Sequence, residues 1–279
     1  MQLITGLTRG RARAGIRGRW HAGAVSTSKT SANERWRQLQ EARAVPPEIL
    51  AAAPRSPWKH DPAHFGAPAR PEDTPSRRAA LELLGEDRGS VLDVGCGGGR
   101  ASMAVAEAAG SLIGVDHDPG MLEVFAADCE ARGIDHRTVL GAWPEVAAEA
   151  GPADVVVCHH VGYNTVDFAP FLSALTAAAR RGVVMELTAR HPMAWLDPLW
   201  ARFHDVHRGD PATADDAVAV LAELGITPEV TRWDRGTGLP EDPIWVTRRL
   251  CLPESRVDEV AAALETIPPR TREVVTLVW

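Results

Sequence analysis

The chain has 279 residues, 45% of them hydrophobic and 24% charged, with a net charge of −7. That supplies ample apolar material for the core of one generous domain, and an acidic body disfavours a nucleic-acid partner, whose phosphates call for clustered Lys and Arg. No apolar run reaches the ~18 residues that a membrane-spanning helix needs, so a cytoplasmic protein with no membrane partner is expected.

The charge is unevenly spread. Residues 1–31 carry Arg9, Arg11, Arg13, Arg17, Arg19 and Lys29 and no acid, which leaves −13 for the remainder. The stretch has the Arg-rich, acid-free look of a transit peptide, but Gly6, Gly10, Gly15, Gly18 and Gly23 work against an amphipathic helix. A disordered basic tail is expected there. Four cysteines, Cys96, Cys129, Cys158 and Cys251, form no CxxC pair and read as buried reduced thiols. Oligomeric state is left open.

Residues 32–50 read as a short helix around Trp36, stopped by Pro46 and Pro47, with another turn of helix at 48–53. Prolines at 54, 57, 62, 68, 71 and 75 mark a loop that also holds Trp58, His60, His64 and Phe65. This 32–75 extension is expected to be either a lid over a pocket or a surface wrap. The pattern then becomes regular. Helix is expected at 76–84, 100–109, 120–131, 143–150 and 167–179. Strand is expected at 90–94, 112–115, 136–140, 154–158 and 182–187. This alternation predicts an α/β fold, a Rossmann-like, doubly wound, mostly parallel sheet with flanking helices, over residues 76–279. The last third is less regular. Helices are expected at 194–203, 213–224 (Thr213 as N-cap, Gly225 as stop) and 254–264, and strands at 229–233 and 272–279. Residues 243–250 fit either state.

The chemistry is concentrated in Val91-Leu92-Asp93-Val94-Gly95-Cys96-Gly97-Gly98-Gly99-Arg100, an apolar strand running into an acid, a glycine-rich turn and a helix. Glycines let the backbone take positive φ and let a ligand approach the main chain, and the helix start offers free N–H groups to an anionic moiety. A dinucleotide fingerprint GxGxxG fails in both registers, because Arg100 and Ser102 stand where glycine is needed. Asp-x-Gly-x-Gly-x-Gly is present as Asp93, Gly95, Gly97 and Gly99. A second strand ends at Asp116, placed to take both hydroxyls of a ribose.

These motifs resemble the catalytic core of the class I S-adenosylmethionine (SAM)-dependent methyltransferases over residues 76–190. Asp116, Pro119, Met121 and Leu122 continue the likeness, and residues 32–75 and 190–279 resemble the flanks of an actinobacterial subgroup. The resemblance implies SAM as cofactor, held by Asp93, Gly95, Cys96, Gly97, Gly99, Asp116, His117 and Met121. After the third strand the family commonly has an acid for the adenine amino group. Here Ala142 stands in its place beside Trp143, which either stacks on adenine or packs against the sheet. After the fourth strand come Cys158-His159-His160-Val161-Gly162-Tyr163-Asn164, without the Asp/Asn-Pro-Pro-Tyr of nucleic-acid amino methylation.

His159 or His160 is a candidate general base, His159 also a cofactor contact, and Glu186 at the fifth strand's end a third catalytic candidate. Arg190, His191, Trp195, Trp200, Phe203, His204 and His207 are candidates for the acceptor wall. No metal is expected, since adjacent histidines cannot readily share one ion. The expected activity is methylation of O or N on a small-molecule acceptor. The alternatives are a protein or RNA methyltransferase and a non-catalytic SAM-binding protein.

Overall fold

Strong strand formers alternating with short helices fold into a seven-stranded sheet. A computed structural model describes residues 30–58, 66–68, 70–237, 242–268 and 270–279. The expectation for the basic tail therefore lies outside the described residues, as do those for His60, His64 and Phe65. In chain order the strands are β1 (Ser90–Val94), β2 (Ser111–Asp116), β3 (His136–Leu140), β4 (Ala153–His159), β5 (Ala179–Thr188), β6 (Glu229–Thr237) and β7 (Thr271–Val278). Their spatial order is β3-β2-β1-β4-β5-β7-β6. The first five run parallel, and β7 lies antiparallel to both β5 and β6. The order reverses between β1 and β4, so a crevice opens at the carboxyl ends of these strands.

Period-2 alternation sorts side chains into two layers. Leu92, Val94, Val156, Cys158, Val183, Met185 and Leu187 face one core. Val91, Val155, Val157 and Val184 face the other, with Phe125 and Leu84. By the same parity Asp93, His159 and Glu186 fall on one face at the ends of adjacent strands, and His159 and Glu186 are register partners.

The helices are α1 (Ala32–Glu41), α2 (Pro47–Ala52), α3 (Pro75–Leu84), α4 (Arg100–Met103), α5 (Pro119–Arg132), α6 (Ala147–Ala150), α7 (Phe168–Ala178), α8 (Asp197–His204), α9 (Ala214–Glu223), α10 (Pro243–Arg249) and α11 (Val257–Leu264). Thr213 caps α9 and Asp216 completes a capping box, while Gly225 follows at φ 76°. Residues 243–250 resolve as helix, because Asp242 accepts from the Ile244 N–H and Pro243 occupies the first turn.

The helix expected over 100–109 shortens to α4 followed by i→i+3 turns, such as Val105 N to Ser102 O and Ala108 N to Val105 O. The helix expected from 143 begins only at Ala147.

The N-terminal extension is built into the body. The Trp36 ring stacks on Phe168 at 4.0 Å and its Nε1 donates to Thr165 O. Arg43 is buried and forks onto Asp197 at 2.7 and 2.9 Å. Beyond residue 190, α8, α10 and α11 form a third cluster around Leu199, Trp200, Val246 and Leu250, against which Val45, Ile49 and Ala53 pack.

Candidate functional site

The glycine turn at the end of β1 takes its shape from backbone that only glycine adopts without strain. Gly95, Gly97 and Gly99 have φ of 68°, 51° and 84°. A Cβ on Gly95 would lie 2.5 Å from Val161 Cγ2, and one on Gly99 would lie 2.8 Å from Phe125 Cδ2. Gly95 and Cys96 N–H both donate to Val115 O, which ties the turn to β2.

Asp93 is fully buried beneath this turn, where its Oδ2 accepts from Ser102 N at 3.1 Å and Ser102 Oγ at 2.7 Å. Burial pushes its carboxyl up to about 6, against the Ser102 bonds. Asp93 thus braces turn to helix, and it takes up one of the N–H groups expected to face a ligand. Cys96 lies in the lining of the crevice, and its Sγ lies against Gly97 O. At the tip of β2, Asp116 accepts from Gly97 N at 2.9 Å and Asp118 N at 3.0 Å. Exposed His117 lies beside it and Met121 is buried nearby.

Asp93, Gly95, Cys96, Gly97, Asp116, His117 and Met121 line one side of a cavity of about 910 Å³, which also reaches His159, His160, Tyr163, Glu186 and His191, whereas Gly99, expected as a cofactor contact, stands outside the lining with its backbone bridged to Gly66. Such a volume lies near the upper end for small-molecule pockets and holds a nucleoside-sized donor beside an acceptor. Ala142 and Trp143 stand outside its wall. Ala142 is exposed, and the Trp143 indole packs on the core and donates to Phe171 O at 3.2 Å.

At the far side His160 adopts φ 59°, unusual for a non-glycine residue, and turns its ring toward β5. Its Nε2 lies 2.9 Å from Glu186 Oε1 and its Nδ1 3.2 Å from the Tyr163 hydroxyl. Glu186 is buried. Burial acts to raise its carboxyl, but the His160 hydrogen bond, the two imidazoles and Ser76 Oγ at 2.5 Å outweigh it and hold the group down at about 2. Ser76 in turn meets Thr276 Oγ1 at 2.7 Å.

His159 has a buried Nε2 with no hydrogen-bond partner, and desolvation pushes its imidazole down to about 4. His191, edge-on to Tyr163, is likewise pushed down to about 4 by burial and by Arg43 and Arg208. Trp200 belongs to the third cluster, and His204 contacts Leu250 O, away from the cavity wall. Among the described residues no group of His, Cys, Asp and Glu could hold a metal ion, and no helix is long and apolar enough to cross a membrane.

Sequence reasoning missed Arg235 on β6, which lines the cavity, as well as Ser76 and Thr276 behind Glu186. Only the β5–β7–β6 pairing brings Arg235 here, and no local motif signals it. The proline-rich segment also reaches the site. Gly66 forms a backbone bridge with Gly99, Ala67 N donates to Asp128, and Pro68, Pro71, Glu72 and Thr74 line the cavity.

The profile of the methyltransferase domain family matches residues 91–182, the stretch from β1 into β5. Over that stretch the chain carries a methyltransferase domain of the class I SAM-dependent type. The chain is 34% identical over 167 residues to the ubiquinone biosynthesis O-methyltransferase of Rhizobium rhizogenes, covering 52% of this chain and 66% of the relative. It is 29% identical over 145 residues to the release factor glutamine methyltransferase of Rhodospirillum rubrum, covering 47% and 44%. The chain spans about half the length of several curated relatives that it matches. Its fold is also that of a solved methyltransferase-like protein from Bacillus halodurans, at TM-score 0.50 and 18% identity, covering 71% of this chain and 96% of that one.

Proposed function

We propose that this protein transfers a methyl group from SAM to an oxygen or nitrogen of a small-molecule acceptor. The observation that carries the reading is a single cavity with the glycine turn and Asp116 on one side and a His160–Glu186 pair on the other. The donor set fits the cofactor. Asp116 offers carboxylate oxygens at a strand tip for ribose hydroxyls, the turn of Gly95, Cys96 and Gly97 offers close backbone approach, and Met121 offers an apolar face. When bound, SAM supplies a methyl carbon on a cationic sulfur, which an acceptor lone pair takes while the carbon–sulfur bonding pair leaves on sulfur.

The protein's task is then alignment, exclusion of water and care of one proton. His160 donates Nε2–H to Glu186, and its Nδ1 faces the Tyr163 hydroxyl, which passes its own proton to Nδ1 as it takes the acceptor's proton. The Glu186 carboxylate stabilises the imidazolium so formed, and Ser76 and Thr276 hold that carboxylate in place. His159, neutral and with an unpaired Nε2, is a hydrogen-bonding contact for whichever ligand lies over the end of β4.

The test is incubation with methyl-labelled SAM and a metabolite extract, followed by mass spectrometry of labelled products. Label in a small molecule supports the reading. Label in protein instead would favour a macromolecular acceptor, a reading to which the release factor methyltransferase relative lends weight. No transfer, with SAM bound, would leave a SAM-binding protein.

A further inference from the structure

The Arg235 guanidinium lies in the cavity wall with 22% of its side chain exposed. One of its nitrogens sits 3.5 Å from Glu186 Oε1 and 3.4 Å from His160 Nε2. The other meets Glu72 Oε2 at 2.9 Å. Glu186 has closer partners in His160 and Ser76. The shortest contact of Arg235 is therefore with Glu72, a side chain 60% exposed on the segment that crosses the glycine turn. An ion pair so open to water contributes little and exchanges readily.

A guanidinium is a planar fork matched to carboxylates, so this is a carboxylate-binding position occupied by the protein's own acid. Of the other cavity arginines, Arg100 is exposed at the start of α4 beside the glycine turn, and two have partners of their own. Arg249 donates to Pro57 O and lies over Trp245, while Arg77 donates to Ala104 O.

We propose that Arg235 is the anchor for an anionic acceptor, a hydroxylated or aminated carboxylic acid whose carboxylate replaces that of Glu72. This rests on reading the cavity as a methyl-transfer site. A carboxylate on Arg235 lies beside His160, so the hydroxyl or amine of the same molecule comes within reach of the His160–Tyr163 pair. Trp58, Pro71, Pro192 and Met193 supply apolar surface for the carbon skeleton. Arg235 selects the acceptor, and Glu72 balances its charge until the acceptor's carboxylate takes its place.

The experiment is calorimetry on the full chain loaded with S-adenosylhomocysteine, using 4-hydroxybenzoate, 3,4-dihydroxybenzoate, 2-hydroxybenzoate and their amides as probes. At least one acid should bind more tightly than its amide by roughly tenfold or more, the scale of one charge-assisted hydrogen-bond pair. Arg235→Gln should remove that preference, and Glu72→Gln should strengthen acid binding a few-fold by removing the competitor. Circular dichroism verifies that the variants fold. Arg235→Lys, which keeps charge but loses the fork, backs the comparison and should recover part of the preference. Equal affinity for acids and amides, absence of acid binding at millimolar concentration, or a preference intact in Arg235→Gln overturns the proposal.

S-adenosylhomocysteine affinity is measured on the same samples. If it is lost only in Arg235→Gln, the arginine serves the donor and the proposal falls. If the native chain does not bind it, the methyl-transfer reading falls first. As a second readout, the metabolite extract is split on an anion exchanger before incubation with labelled SAM. The label should enter the retained fraction, and label confined to the unretained fraction overturns the proposal.

Discussion

The Nε2 of His160 lies 2.9 Å from Oε1 of Glu186, joining a partly exposed imidazole to a buried carboxylate across the ends of two parallel strands. The pair divides labour, with a ring open to the cavity and an acid held from behind by Ser76. His160→Ala should therefore lower turnover by roughly 10²-fold while SAM affinity stays within a few-fold, because the base serves the acceptor's proton. Calorimetry and single-turnover rates measure the two effects separately. A parallel loss of SAM binding would move His160 to the donor side.

Glu186→Gln should act on stability as well as rate. Its carboxyl is held at about 2, below the ordinary 4.5, so its contribution is fully present above pH 4.5 and is lost as pH falls toward 2. The variant should melt below the native chain at pH 7, and the gap should narrow as pH drops below 4.5. Thermal denaturation across that range shows the trend.

Acid should also weaken the fold through other groups. His159 and His191, both held near 4, bind protons in the unfolded chain around 6.5 that they refuse in the folded one. Each therefore removes stability as pH falls from 6.5 to 4. Asp93, raised to about 6, acts in the opposite sense between 6 and 3.8. Two groups against one give a net loss on acidification. Urea unfolding at pH 7, 5.5 and 4.5 should show a declining midpoint, with a shallower decline in His191→Asn.

Asp116→Ala should weaken SAM binding by about 100-fold or more, the scale expected for losing two hydrogen bonds to a charged acceptor. NAD should bind neither protein. Unchanged SAM affinity in calorimetry would mean that the ribose lies elsewhere.

Trp36→Ala should cost about 3–5 kcal/mol, the usual toll for emptying a buried aromatic site, because its ring is sandwiched against Phe168 and its indole N–H is satisfied by Thr165 O. Urea denaturation gives the value. A change under 1 kcal/mol would show that the N-terminal extension is only loosely held.

The geometry of the glycine-turn side was legible because its determinants are local. Asp93, the three glycines and Asp116 sit on two strand ends and the turn between β1 and α4, where a motif of fixed spacing forces their arrangement. The far side of the cavity was legible only where it too lay at strand ends, in His159, His160 and Glu186. Arg235 and Ser76 reach the site through β6–β7 pairing and α3 packing, contacts between distant parts of the chain that no spacing encodes. Trp143 shows another limit: an aromatic after a strand packs equally well toward a ligand or into the core, and here its indole hydrogen-bonds the backbone of α7.

The Glu72–Arg235–Glu186 bridge draws on three separate stretches of the chain, and all three residues lie outside the family-matched residues 91–182. The glycine-turn half of the crevice can thus stay constant while the other half is rewritten from the flanks. Grafting new flanks onto the same central strands would be a route to new acceptors that leaves the methyl-donor grip untouched.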